Sequence, residues 1–397
     1  MGLDRKIRLS WHQCGGLRLV AYDLIRNQLV PELMDYADHL SQRESLSSKT
    51  VINEIVLLKS LFEFLIPNFS IKNINDSLLL KFRDLELSRT LENKISRGSE
   101  VTARRTVNMK LRRAYLFIIW CQESQRLSSG SIGAYNCKVT ARCDQIKGIK
   151  WRGGFRNNAT NDFPLLYRKA QAGIGPDQGY FATDSDRSAL GEYFARNGTT
   201  FTFTRNVLLM DIADAQGWRR GSINSLKCAQ FSAGEGSSEK IRIAPAKQKF
   251  GYGWFFEVEF ALANRILNFI NIERALLLAE MGWDEARTED HIFISARNGK
   301  PLTDQAISRI FGNAFKVIGR PKGAGLHSFR RKFAECRVVD EIQRRLTLGM
   351  DTSALSIAAS VAVELGHAHP ESLKPYVSRS QSRLAGNRAK SKKEITR

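Results

Sequence analysis

At 397 residues the chain is long enough to form two domains, each with its own core. Its 43% hydrophobic and 25% charged residues are ordinary for globular protein, which excludes a wholly disordered or fibrous chain. Lys and Arg number 61 against 40 Asp and Glu, a formal charge of +21 that goes far beyond what solubility requires, so the expected partner is a polyanion, foremost nucleic acid.

No apolar run approaches the roughly 18 residues that span a bilayer. The opening MGLDRKIRLSWHQCGG lacks the apolar stretch of a signal peptide, so a cytoplasmic protein with no membrane partner is expected. The cysteines, Cys14, Cys121, Cys137, Cys143, Cys228 and Cys336, are scattered without a Cys-x-x-Cys pair and read as reduced thiols. Cys137 and Cys143 taken with His12 and Cys14 fit no common zinc-finger spacing, so no metal is expected.

Residues 1–45 hold short mixed apolar segments, LRLVAYDLI and LVPELMDYADHL, and read as an N-terminal arm without an assigned structure. From Lys49 the pattern turns helical: Val51, Ile55, Leu58, Phe62 and Leu65 recur at three and four residues, with Ser47-Ser48 before them as a cap. Ile74, Leu78, Phe82 and Leu85 mark a second helix. Val107, Leu111, Ala114, Ile118 and Cys121 mark a third, whose polar side carries Arg104, Arg105, Lys110, Arg112 and Arg113 beside Thr102 and Thr106. Residues 46–128 therefore read as a small helical domain with a basic face that is either solvated or placed against phosphates.

The stretch 129–180, rich in Gly, Asn and Arg, reads as an irregular linker or insertion. A second domain spans 181–380. In it two strands, 241–246 and 254–260, flank a turn holding Lys247, Lys249 and two glycines, and helices return through ANRILNFI, DQAISRIFGNAF, His327–Arg345 and 353–365. The basic tail, 381–397, is expected to stay disordered until it meets a partner.

Six residues of this second half carry chemistry: Arg219, Lys247, His327, Arg330, His367 and Tyr376. His327-Ser-Phe-Arg330 puts two of them three apart at a helix start, on one face. Leu365-Gly366-His367 is followed nine residues later by Tyr376. Guanidinium and imidazole donors without a carboxylate among them suit a phosphodiester whose transition state gathers negative charge, attacked by a phenol. Taken singly, each has a bland reading: a packed tyrosine, a solubilising hairpin lysine, a histidine at a helix end. Asp211 and Asp214, three apart on one helix, would begin a metal-nuclease site, but no third carboxylate accompanies them, and salt bridging is the simpler reading.

The set as a whole resembles the tyrosine recombinases, the phage-integrase family. Gln216-Gly-Trp-Arg219 leading into Ile223-Asn-Ser-Leu226-Lys227 is similar to the family's Gly-Leu-Arg turn and Leu-x-Leu-Lys helix end, with Arg220 as a neighbouring alternative. Ser222 stands where many members carry a buttressing glutamate. Ala246-Lys247-Gln248 matches the hairpin lysine, for which Lys249 is the competitor; His327 and Arg330 match the His-x-x-Arg box; and His367, with His369 close behind, precedes Tyr376 at the family's spacing. The resemblance covers 180–380 by motif and 45–128 by pattern, and the interval from Arg330 to His367 is longer than in compact members.

That resemblance implies a mainly α fold with a small β-sheet: a helical core-binding domain plus a mixed α/β catalytic domain, forming a clamp around DNA. It implies a site-specific recombinase or integrase of a mobile genetic element in a prokaryotic cytoplasm. Such an enzyme acts on double-stranded DNA as a tetramer, without metal, ATP or cofactor, through a 3′-phosphotyrosyl intermediate on Tyr376. Arg219, Arg330 and His367 would stabilise the phosphorane, His327 would assist proton transfer and Lys247 would protonate the leaving oxygen. Arg104, Arg105, Lys110, Arg112, Arg113 and Lys249 are the DNA-binding candidates. Type IB topoisomerases, telomere resolvases and a non-catalytic DNA-binding relative share enough of the pattern to stand as alternatives.

Overall fold

The computed structural model describes residues 6–66, 68–92, 100–141, 163–168, 179–231, 240–248, 253–365 and 370–382. They belong to two compact units, Met1–Ala172 and Gly173–Arg397. Both are mainly helical, and among the described residues no helix is long and apolar enough to cross a membrane.

Unit 1 begins with an antiparallel hairpin, β1 (Ile7–Gln13) and β2 (Leu17–Asp23), extended by β3 (Gln28–Leu29). Gly15 and Gly16 make the tight turn, both at positive φ, where a side chain would be strained. Buried Asp23 ends β2 by accepting the N–H groups of Ile25 and Arg26 at 2.8 and 3.1 Å, which bends the chain toward α1 (Pro31–Asp38). Three longer helices follow: α2 (Ser48–Leu65), α3 (Asp76–Glu92) and α4 (Glu100–Glu123). Ser47 caps α2, its hydroxyl accepting from the Thr50 N–H.

One core joins β1, β2 and the four helices. Phe117 of α4 meets Phe62 of α2 and Tyr36 of α1 edge to face, at 5.3 and 5.2 Å, while Ile7, Leu19 and Ala21 of the hairpin are buried with them. Residues 6–45, which lie in the N-terminal arm read from the sequence without an assigned structure, thus supply part of this core. The C-terminal half of α4 is enclosed on nearly all sides, so Ala114 to Cys121 are all buried and the single apolar stripe read from the sequence is wider there than expected.

The segment expected as linker is also partly built in. Strands β4 (Ile132–Gly133) and β5 (Val139–Thr140) pair in parallel, and Asp76 accepts the Thr140 N–H and hydroxyl. Further on, Phe163 stacks on Tyr115 at 4.5 Å, and the Asn108 amide clasps both the N–H and the carbonyl of Tyr167 at 2.8 Å.

The five cations of α4 do not share one exposed face. Arg113 reaches buried Glu54 at 2.5 Å, Lys110 pairs with buried Glu86, and Arg112 is half-buried, its pKa lowered by burial and then by Arg113. Arg104 and Arg105 are the exposed pair, with Arg104 bound to Glu100 at 2.5 Å and lying 5.2 Å from the Tyr167 ring centroid. Lys110 and Arg113 are therefore neutralising buried carboxylates, a task that periodicity could not reveal.

Unit 2 runs α5 (Asp184–Asn197), α6 (Thr200–Gln216), the short α7 (Arg220–Asn224), an antiparallel ribbon of β6 (Lys240–Ile243) and β7 (Phe256–Glu259), then α8 (Phe260–Phe269) and α9 (Ala275–Glu280). It closes with α10 (Asp304–Val317), α11 (His327–Thr347), α12 (Ala354–Glu364) and a helical segment at 374–382. Strand β6 begins one residue before the expected 241–246 and stops at Ile243, while β7 is shorter than the expected 254–260 at both ends. The main core gathers around Phe269, Phe293, Phe311 and Phe329, and a smaller cluster packs α11, α12, Leu373 and Val377, with Tyr376 partly buried against it.

Truncating Arg113 would leave Glu54 charged and buried without its partner. Arg113→Ala should lower the stability of unit 1 by about 3 kcal/mol, and replacing both residues by leucine should restore most of it, as denaturant midpoints will show.

Candidate active site

Helix α6 ends on Gly217, which adopts the left-handed conformation at φ 58 and donates its N–H to the Ala213 carbonyl at 3.1 Å. A Cβ at this position would overlap the Phe333 ring, so both conformation and space require glycine here. The turn releases Trp218 into the core, where it meets Phe256 of β7 edge to face at 5.5 Å, and sets Arg219 as the residue before α7. Burial lowers the Arg219 pKa. Arg220 points elsewhere: it bonds Ser308 and lies 3.9 Å from Asp304, both on α10. That separates the two adjacent arginines, which the sequence could not.

Lys247 follows strand β6 and is exposed. Its backbone N–H donates to the buried Ser225 hydroxyl at 2.8 Å, which donates in turn to the Ser222 carbonyl at 2.9 Å. The end of the helix that follows Arg219 is thereby tied to the backbone that presents Lys247. Gln248 then bridges the neck of the loop, its amide bonding the carbonyl of Trp254 at 2.7 Å and its N–H at 3.3 Å. Lys249 and Gly251 lie outside the described residues.

His327 opens α11 and Arg330 stands one turn later. The Arg330 guanidinium, 5% exposed, donates to the Gly217 carbonyl and, at 3.3 Å, to the Leu365 carbonyl. Burial, then the charge of Arg219, pushes its pKa down to about 9. The His327 ring keeps an exposed edge, yet the atoms packed around it and then the charges of Arg331, Arg330, Arg219 and Arg220 push its pKa down to about 4. It is therefore a neutral imidazole near pH 7, able to accept a proton.

Tyr376 sits half-buried on segment 374–382, packed against the small cluster of α11 and α12. Burial raises its pKa, while Arg331 and then Arg330 act in the opposite direction and Glu335 adds to the rise. The phenol is thus protonated here, and the cations only moderate the cost of ionising it. His367 and His369 lie outside the described residues, directly beyond Leu365, whose carbonyl Arg330 holds. Asp211 is paired with Arg187 at 2.6 Å and with Arg265, and Asp214 with Lys332 at 3.1 Å, the salt-bridged reading of both.

Within unit 2, Arg219 and Arg330 thus act electrostatically on His327, Arg219 on Arg330, and Arg330 on Tyr376. Known structures share this architecture. The XerH site-specific recombinase bound to palindromic difH substrate, in a post-cleavage complex, superposes with a TM-score of 0.53 over 90% of this chain and 83% of that one, at 16% identity. The fold is that of the tyrosine recombinases. The pre-cleavage complex of XerH with difH gives a TM-score of 0.50 over 82% of this chain and 76% of that one, at 15% identity. No family model matches the chain, and no curated protein matches it by sequence.

Sequence reasoning missed Arg331, Ser225 and Phe181, which bear on the site. Arg331 stands beside Arg330 in the same motif, but nothing in the motif separates a second working cation from a solvated one. Because His327 is held neutral, its ring resonances should stay at their neutral positions from pH 8 to 5 and move only near pH 4 in an NMR titration. Between the ordinary histidine pKa and about 4 the unfolded chain binds a proton that the folded chain refuses, so this residue makes folding stability fall as pH drops through that window.

Proposed function

We propose that the protein is a site-specific DNA recombinase that cuts and rejoins strands of duplex DNA through Tyr376, acting as a tetramer on its DNA. The observation that carries this reading is the convergence of Arg219, His327, Arg330 and Tyr376 in unit 2, on the fold of enzymes such as XerH that are seen bound to their DNA substrates. The charge of +21 supplies the attraction for a polyanion, and the exposed Arg104 and Arg105 are suited to phosphate contacts.

In the reaction, the Tyr376 oxygen attacks a phosphorus atom, forming a 3′-phosphotyrosyl bond as the bond to the 5′ oxygen breaks. The phenol is held protonated and must lose its proton, and neutral His327 assists that removal. Arg219 and Arg330, with His367, meet the charge that grows on the non-bridging oxygens. Lys247 gives a proton to the departing 5′ oxygen. The 5′ hydroxyl of a partner strand then attacks the phosphotyrosyl bond, restoring the phosphodiester and the phenol. The covalent link conserves the bond energy, so no ATP is consumed.

Tyr376→Phe should abolish the covalent adduct with a nicked suicide duplex on a denaturing gel while leaving duplex affinity within about twofold, since one hydroxyl among many phosphate contacts changes binding little. An adduct surviving in this variant would assign the nucleophile to another tyrosine.

Lys247→Ala should stall cleavage of ordinary DNA and recover on a substrate whose bridging 5′ oxygen is sulfur, because a thiolate leaves without a proton. Selective rescue of Lys249→Ala instead would move the general acid two residues on.

A further inference from the structure

Segment 179–184 runs along the first turns of α11 and is tethered there three times. Arg331 donates to the Tyr180 carbonyl at 3.1 Å, the Ala182 N–H donates to the Ser328 carbonyl at 3.2 Å, and Lys332 bonds the Asp184 carboxylate at 2.6 Å. Gly179, at φ 72, lets the backbone pass close to the Arg331 guanidinium, where a Cβ would come within 2.9 Å of its central carbon. Between these tethers Phe181 projects onto Tyr376, the rings 5.9 Å apart and inclined at 66°. Arg379 lies over the Phe181 ring, 4.3 Å from its centroid, and is itself 3.4 Å from Glu335 of α11.

We propose that Phe181 is the positioning residue for Tyr376, an edge-to-face stop locked to α11 that transmits the frame of His327 and Arg330 to the nucleophile. The proposal rests on the reading of Tyr376 as the nucleophile. Segment 374–382 is also anchored by buried Val377 and Ser380, next to Leu373, and by the Gln381 amide, which donates to the Thr352 carbonyl at 3.1 Å, contacts that fix the depth of the segment but not the direction of a phenol at its margin. A T-shaped partner restricts the ring plane, because the ring edge is electropositive and the face electronegative. Arg379, held over Phe181 by a cation–π contact and by Glu335, keeps that partner from turning away. Arg331, fixed by the same segment, is the first of the cations that lower the cost of ionising the phenol.

The test compares Phe181→Leu, which keeps apolar bulk but loses the ring, with Phe181→Tyr, which keeps it. Two readouts are taken on the full chain. In single-turnover cleavage of a nicked duplex, Phe181→Leu should slow adduct formation roughly three- to tenfold, the scale of one aromatic pair, with duplex affinity unchanged and with Phe181→Tyr near the parent rate. In the DNA-free protein carrying ¹³C-labelled tyrosine, the Tyr376 ring resonance, assigned by its loss in Tyr376→Phe, should shift in Phe181→Leu and stay in Phe181→Tyr, while the other tyrosines hold their positions. An unmoved Tyr376 resonance, or equal rates for the leucine variant and the parent, would overturn the proposal. Failure of the parent protein to form any adduct, with the resonance shift still present, would instead overturn the reading of Tyr376 as nucleophile and leave the ring contact standing.

Discussion

The site in unit 2 depends on one buried guanidinium. Arg330 is 5% exposed, and removing such a group from water is costly enough that its pKa falls to about 9. The cost is offset by hydrogen bonds to the carbonyls of Gly217 and Leu365, which lie 148 positions apart along the chain (365 − 217) and on different elements. A lysine would offer a single ammonium with no fixed angle between its donors, whereas the planar fork of arginine can serve two carbonyls at once. With those bonds in place, the turn that presents Arg219 and the end of α12 that leads toward His367 are referred to the helix that begins with His327.

This arrangement sets several positive charges around His327 and Tyr376. Arg219 disfavours the charge of Arg330, and burial, then four arginines, hold His327 neutral. Farther out, cations are matched with carboxylates: Arg320 with Asp186, Arg187 and Arg265 with Asp211, Lys332 with Asp184 and Asp214. Those cations are matched, whereas Arg219, Arg330 and Arg331 bring positive charge to bear on His327, and Arg330 and Arg331 on Tyr376. A phosphate entering there would gain the interaction that the like charges lack among themselves, which is preorganisation in the electrostatic sense.

How much of this was legible depends on whether the determining contacts are local. The helices over Ser48–Leu65 and Glu100–Glu123 were readable because burial recurs every three or four residues, and the Ser47 cap because its bond spans three residues. The hairpin of β1 and β2 was less legible: Ile7, Leu9 and Trp11 do alternate with Arg8, Ser10 and His12, but the partner strand LRLVAYD runs apolar residues side by side and hides the period of two. Segment 163–168 escaped because its order comes from Asn108 and Tyr115 on a distant helix. Within the site, His327 and Arg330 announce themselves in four residues, and Tyr376 by its spacing. Phe181 and Ser225 act through tertiary contacts with residues far along the chain, and an isolated Phe or Ser carries no motif. Lys110 and Arg113 show the converse, cations that look available in sequence and are committed to buried carboxylates.

The long interval between Arg330 and Leu365 is explained by the same economy of arginines. Helix α11 continues to Thr347, and α12 returns from Ala354 to Glu364 packed against it. Near the far end, buried Arg345 bonds Glu341 at 2.6 Å within its own helix, the Asp351 carbonyl at 2.7 Å in the connection, and Ser356 and Ser360 of α12 at 2.5 and 3.1 Å. Arg330 binds the opposite end of α12 through Leu365. Two arginines on one helix therefore hold both ends of its partner, and the added length forms a braced hairpin instead of a loose loop. Hydrogen bonds from Arg344 and Arg345 hold the Glu341 carboxyl down to about 2, so its charge and the brace persist at ordinary pH and are lost only as pH falls from the normal carboxylate range toward that value. The position of Leu365, and with it one of the two carbonyls that satisfy Arg330, is thus fixed by ionic and hydrogen bonds made a full helix length away.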